Sequence, residues 1–177
     1  MKLVLMASNN GHLLDELHDD ILLVITNKSR APVLERANSK NIPAAIINNF
    51  ETLERILDNL HTYDYILMCG YMRILPKNIT DKYVIFNTHP SDLPKYAGMM
   101  GRQIHRKVLE NGDTETAVCL HRVNEIVDGG EVVARIKVPV EPGDTVETLE
   151  ARVKQAEKKM VKEYFNNLKN EEIQKCL

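Results

Sequence analysis

Along the first half of the chain, short unbroken apolar runs alternate with stretches of helical apolar spacing, and this alternation constrains the fold most. The run Lys2–Ala7 is followed by Leu13, Leu14 and Leu17, and Ile21–Thr26 by Val33, Leu34 and Ala37. The next run is Pro43–Ile47, followed by Phe50, Leu53, Ile56, Leu57 and Leu60, and then come Tyr65–Cys69 and Tyr83–Phe86. Apolar runs with no polar alternation suit parallel strands covered on both faces, while the spacing between them is that of amphipathic helices. Strand–helix repetition of this kind predicts an α/β fold, a doubly wound and mostly parallel sheet with right-handed crossovers and helices on both faces.

The second half adds a helical pattern at Ile104, Val108 and Leu109 ending at Asn111-Gly112, and two further strands, Thr116–Val123 and Glu131–Val140. These two read as a late antiparallel pair. Gly143-Asp144-Thr145 opens a long helix, with Leu149, Val153, Ala156, Met160, Val161 and Phe165 along one side. At 177 residues the chain, 1–177, reads as one domain with a sizeable core.

A net charge of −2 argues against nucleic acid as a partner, which calls for a basic patch. No apolar run approaches the roughly 18 residues of a membrane span. The start at Met1 reads as a strand and not as a secretory signal. Cys69, Cys119 and Cys176 are far apart and odd in number, so neither a disulfide framework nor a metal site is expected. Cys69 and Cys119 sit in apolar runs as reduced packing residues, and the cytoplasm is the expected compartment.

Chemistry-bearing residues gather in Phe86-Asn87-Thr88-His89-Pro90-Ser91-Asp92-Leu93-Pro94-Lys95-Tyr96. On an extended backbone Asn87 and His89 point to the same side, and Pro90 favours that geometry at His89. An amide and an imidazole thus emerge together where a strand ends, the place where open α/β sheets bind ligands. A structural histidine beside a turn-capping asparagine is the plainer alternative. Ser8-Asn9-Asn10-Gly11-His12, after the first strand, reads either as an anion site at a helix start or as an ordinary turn. Met72, Ile74 and Leu75, with Arg73 among them, form an apolar loop before Pro76. It either plugs the edge of the core or walls a flat organic ligand. Asp128-Gly129-Gly130 is a turn signal, and Lys154 and Glu157 lie off the apolar line of the long helix, as surface charges commonly do. His105 and His121 read as structural or surface residues.

Taken together, these motifs resemble folate-dependent formyltransferases. Asn87-x-His89-Pro90-Ser91 followed by Asp128-Gly129-Gly130 is similar to the superfamily signature, and Gly70-Tyr71-Met72-Arg73-Ile74-Leu75 is similar to the glycinamide ribonucleotide (GAR) branch. Leu34–Ala37, Glu110–Asp113 and Lys137–Val140 match in order, so the resemblance spans nearly the whole chain. It implies a Rossmann-like formyltransferase fold. It also implies formyl transfer from 10-formyltetrahydrofolate to the amine of GAR in de novo purine synthesis, with no metal.

By that resemblance Asn87, His89 and Asp128 are the catalytic trio. Met72, Arg73, Ile74, Leu75, Val123, Asn124, Val127 and Asp128 hold the folate, and Ser8, Asn9, Asn10, Gly11, His12, Lys154 and Glu157 hold the amine substrate. The implied partners are small molecules, with no nucleic acid or membrane, in a monomer or homodimer. Two departures bear on this: the first loop lacks the usual glycine spacing, and Asp92 stands where leucine is usual. Two alternatives follow, an N-formyltransferase for another amine such as an amino sugar nucleotide, and a folate-binding homologue without turnover.

Overall fold

The structure is a computed structural model that describes residues 1–175, so Cys176 lies outside the described residues. The element order is β1 (Leu3–Met6), α1 (Leu14–Leu17), β2 (Ile21–Thr26), α2 (Val33–Ser39), β3 (Ala44–Ile46), α3 (Phe50–Asn59) and β4 (Tyr65–Met68). There follow α4 (Lys77–Lys82), β5 (Ile85–His89), α5 (Arg102–Glu110), β6 (Glu115–Arg122), β7 (Val132–Pro139) and α6 (Val146–Lys175). Strand pairing gives the expected mostly parallel α/β sheet, in the order β3-β2-β1-β4-β5-β6-β7, with β6 and β7 pairing antiparallel late in the chain. Each expected strand is present, with boundaries shifted by up to three residues, the largest shift being at β5, which runs on to His89. Helix α4 was not expected, because Lys77-Asn78-Ile79-Thr80-Asp81-Lys82 carries only one large apolar side chain.

Contacts divide the chain into two compact units, Met1–Asn87 with Val123–Glu125, and Thr88–Arg122 with Ile126–Leu177. In the first unit β1 is fully buried and pairs in parallel with β2 on one side and β4 on the other. Val4, Met6, Ile25, Ile66 and Met68 from these strands pack with Leu53 and Leu57 of α3. Burying each such side chain contributes about 1.5–3 kcal/mol, which is what holds the helix to the sheet. Asn49 caps α3 by accepting the Thr52 N–H at 2.7 Å, satisfying one of the donors a helix start leaves over. The strand order reverses direction between β1 and β4. Such a switch point opens a crevice at the strands' carboxyl ends, bordered here by the residues after Met6 and after Met68.

In the second unit β6 and β7 pair antiparallel, from Glu115 opposite Pro139 to His121 opposite Val132. Leu149, Val153, Val161 and Phe165 of α6 are fully buried, and the helix packs against β6, β7 and α5. Asp144 fixes its start. This carboxylate accepts from Arg152 Nη1 at 2.6 Å, Arg152 Nη2 at 2.9 Å, the Glu141 N–H at 2.8 Å and Thr148 Oγ1 at 2.7 Å. The Arg152 guanidinium, with the other donors, holds the Asp144 carboxyl well below the usual carboxylate range. Among the described residues no helix is long and apolar enough to cross a membrane.

Candidate active site

Strand β5 ends at His89, with Ile85 and Phe86 buried, Asn87 half-buried and His89 3% exposed. Asn87 and His89 are therefore two residues apart on one extended strand, as the Asn-x-His-Pro spacing requires.

Within the second unit both ring nitrogens of His89 meet oxygen atoms. Nδ1 lies 3.3 Å from Asp128 Oδ2, and Nε2 lies 3.0 Å from the Tyr96 carbonyl oxygen. Asp128 is reached through a backbone that only a few residues tolerate. Its φ is +52°, in the left-handed region where aspartate is one of the better-tolerated side chains. Gly129 follows by necessity, because a Cβ there would lie 2.5 Å from Ile126 Cγ2. The turn-aspartate reading and the functional one are thus compatible: the turn is what aims the carboxylate. Oδ2 also accepts the Gly98 N–H at 2.9 Å.

The other carboxylate oxygen faces a second imidazole. His121 Nε2 lies 3.5 Å from Asp128 Oδ1, and its Nδ1 lies 2.9 Å from the Arg122 carbonyl oxygen. His121 is 2% exposed, so it is a buried member of this cluster. Its position in the apolar run before the Asp-Gly-Gly turn was the available signal, and the run's packing pattern masked it.

Burial lowers the pKa of His89, against the opposing pull of the Asp128 charge and the Tyr96 carbonyl. Asp128 does favour the charged imidazole, as its placement suggests, but burial outweighs it and the resting ring is neutral at neutral pH. Burial pushes the Asp128 carboxyl up, but its hydrogen bonds, including the one from the Gly98 N–H, bring it below its ordinary value. The carboxylate is therefore ionised between two rings.

In the first unit the loops after β1 and β4 are joined at the switch point. Ser8 Oγ accepts the Met72 N–H at 2.7 Å and donates to Asn27 Oδ1 at 2.6 Å, while the Ser8 N–H donates to the Gly70 carbonyl at 3.1 Å. Asn9 and Asn10 are not among the positive-φ residues, and Gly11 is, with φ +54° and Val33 close by. Asn10 Oδ1 accepts from Arg36 at 2.9 Å, and His12 Nδ1 lies 3.5 Å from Cys69 Sγ. The helix behind this turn is a single turn long.

Met72 and Ile74 are 51% and 71% exposed, whereas Leu75 is buried in the core. The loop is thus half plug and half open apolar wall. The Arg73 guanidinium stacks 4.2 Å over the Phe50 ring and donates to the Asn48 carbonyl at 3.0 Å. Val123 packs on the same core, and Lys77 pairs with Glu125 beside Asn124 at 3.1 Å. In the second unit Ile126 and Val127 are exposed. On α6, Lys154 is exposed and pairs with Glu150 at 2.6 Å, but Glu157 is 4% exposed and so is not a solvated surface charge. Asp92 faces Arg135 at 3.4 Å.

Residues 1–164 match the family model described as formyl transferase. The chain belongs to the formyl transferase family. Phosphoribosylglycinamide formyltransferase of Haemophilus influenzae is 41% identical to it over 147 residues, 77% of this chain and 68% of that protein. The trifunctional purine biosynthetic protein adenosine-3 of Bos taurus is 38% identical over 79% of this chain, which spans 15% of that protein. The crystal structure of phosphoribosylglycinamide formyltransferase from Streptococcus pneumoniae is similar with a TM-score of 0.83 at 27% identity, covering 94% of this chain and 98% of that one.

Proposed function

We propose that this formyl transferase family member transfers the formyl group of 10-formyltetrahydrofolate to the primary amine of glycinamide ribonucleotide in de novo purine synthesis. One observation carries the chemistry: the Asp128 carboxyl held between two buried imidazoles, one of them at the end of the strand that bears Asn87. Relatives named for GAR formylation, similar over most of this chain, support the choice of amine.

In the first unit the exposed side chains of Met72 and Ile74 are apolar surface that a flat ring system would shield from water. With Arg73, Leu75, Val123, Asn124, Val127 and Asp128 they make up the folate-binding set of this reading. 10-Formyltetrahydrofolate supplies an activated formyl carbon. As an amine attacks it, negative charge develops on the formyl oxygen, and the Asn87 amide N–H donates toward that charge. Losing one such donor typically lowers the rate ~10²–10³-fold. His89 rests neutral and takes up a proton released by the amine. The Asp128 carboxylate then faces an imidazolium across 3.3 Å and stabilises it, until the proton passes to the folate nitrogen as its bond to the formyl carbon breaks and tetrahydrofolate leaves.

On the amine side, this reading assigns the substrate phosphate to backbone N–H groups of the Ser8–His12 turn and to Lys154, and the ribose and amine-bearing part to Glu157. The test is formylation by purified protein with 10-formyltetrahydrofolate and either GAR or an amino sugar nucleotide. Cofactor-dependent formylation of GAR, and little of the sugar, is expected. Formylation of the sugar alone, or of neither amine, overturns this reading.

A further inference from the structure

Asp113 follows the Asn111-Gly112 turn that ends α5, and its carboxylate is tied to a residue of the active site. Lys95 Nζ donates to both of its oxygens at 2.7 Å, and the Tyr96 phenol donates to Oδ2. Asn111 Nδ2 donates to the same phenol oxygen at 3.0 Å. The ring these groups hold belongs to a residue only 3% exposed.

The other end of Tyr96 reaches His89. Its carbonyl oxygen lies 3.0 Å from His89 Nε2. Two residues further on, the Gly98 N–H donates to Asp128 Oδ2, the atom that faces the other nitrogen of the same imidazole. So the short segment 96–98 contacts both the ring and its carboxylate partner, and it does so entirely through backbone groups. The segment is a turn held by its own backbone, with the Tyr96 N–H donating to the Asp92 carbonyl at 3.1 Å, the Ala97 N–H to the Pro94 carbonyl at 3.1 Å and the Met99 N–H to the Tyr96 carbonyl at 3.4 Å. The phenol end of Tyr96 ties that turn to the residues that follow α5.

We propose that Asp113 is a positioning residue for formyl transfer: by anchoring the Tyr96 phenol it holds the Tyr96 carbonyl against His89 Nε2 and thereby sets the orientation of the imidazole toward Asp128. The proposal rests on the reading of His89 as the proton-accepting group. A carbonyl oxygen accepts only from an N–H, so the contact favours the proton on Nε2 and leaves Nδ1 as the nitrogen that gains a proton beside Asp128. Releasing the phenol lets the segment shift. A displacement on the order of 1 Å at a catalytic group typically costs about 10²-fold in rate.

Two variants test this, each keeping the shape of the side chain. Asp113→Asn leaves a group of the same size, and Tyr96→Phe keeps the buried ring and removes only the hydroxyl. With both proteins shown to be folded by circular dichroism, kcat is expected to fall ~10-fold or more while KM for the formyl donor changes less than ~2-fold. The double variant is expected to fall no further than either single one. The ¹⁵N resonances of the His89 ring, read without any substrate, are expected to shift in both variants.

Lys95→Ala, which removes a donor to Asp113 off the phenol path, is expected to leave kcat within ~2-fold. Lowered melting temperatures with unchanged kcat and unchanged His89 resonances would overturn the proposal, as would an equal loss in Lys95→Ala. The ring resonances report on positioning even if GAR is not the amine, so failure of the substrate reading is separable from failure of this one.

Discussion

Replacing Asp128 by Asn probes the site with least disturbance of shape. The carboxylate accepts at Oδ2 from the Gly98 N–H at 2.9 Å and faces His89 Nδ1 at 3.3 Å, while Oδ1 faces His121 Nε2 at 3.5 Å. An amide offers one oxygen in place of two, so it keeps the Gly98 N–H only with that oxygen at the Oδ2 position, which turns its NH₂ toward His121 Nε2. The left-handed backbone at φ +52° suits Asn as well as Asp, so the fold is expected to survive. What is lost is the charge facing the imidazolium. A hydrogen bond to a charged group contributes about 1.5–3 kcal/mol, and each 1.36 kcal/mol is tenfold in rate. Applied once, that range predicts a fall in kcat of roughly 10- to 150-fold. Steady-state formylation at saturating donor and amine measures it, with folding checked by thermal melting. A kcat within about twofold of the parent protein would refute the role given to the charge.

Three further outcomes are expected. The His89 ring should titrate, by NMR, below the ordinary value of about 6.5, because burial lowers it; Asp128→Asn removes the main opposing pull and should lower the midpoint further, and a midpoint above 6.5 in the parent contradicts the electrostatic picture. Gly129→Ala drives a Cβ into Ile126 at 2.5 Å and should cost activity more than stability, since the turn that aims Asp128 must shift; unchanged kcat contradicts it. Asp144→Ala removes the partner of Arg152 at the start of α6 and should destabilise by about 2 kcal/mol in urea unfolding at neutral pH. The folded carboxyl sits below its unfolded value of about 3.9, so this stability is present above that pH and fades as pH falls toward the folded pKa. A gap between the two proteins that did not narrow in acid would contradict that sign.

The sheet was legible because β1, β2 and β4 are written as largely apolar runs, and burial of most of their residues leaves little else to write. Helix α4 was not, since its few residues after Pro76 are mostly polar and only Ile79 and Thr80 turn inward. Asn87, His89 and Asp128 could be picked out because side-chain chemistry at fixed spacing marks them. Tyr96 and Gly98 could not, because they act through a carbonyl and an N–H that every residue possesses. His121 was hidden for another reason: buried in an apolar strand, it reads as packing until the turn brings Asp128 to it. Ser8 shows the same limit in the first unit, where its hydroxyl joins the loops after β1 and β4, a contact 64 residues long in sequence.

Transfer of an isotopically labelled formyl group from 10-formyltetrahydrofolate to glycinamide ribonucleotide, followed by mass spectrometry for the parent protein and for His89→Ala, tests the central claim most directly. Labelled formyl-GAR accumulating with the parent and nearly absent with His89→Ala is the predicted result. No labelled product with the parent at adequate enzyme concentration, or full product with His89→Ala, would contradict it.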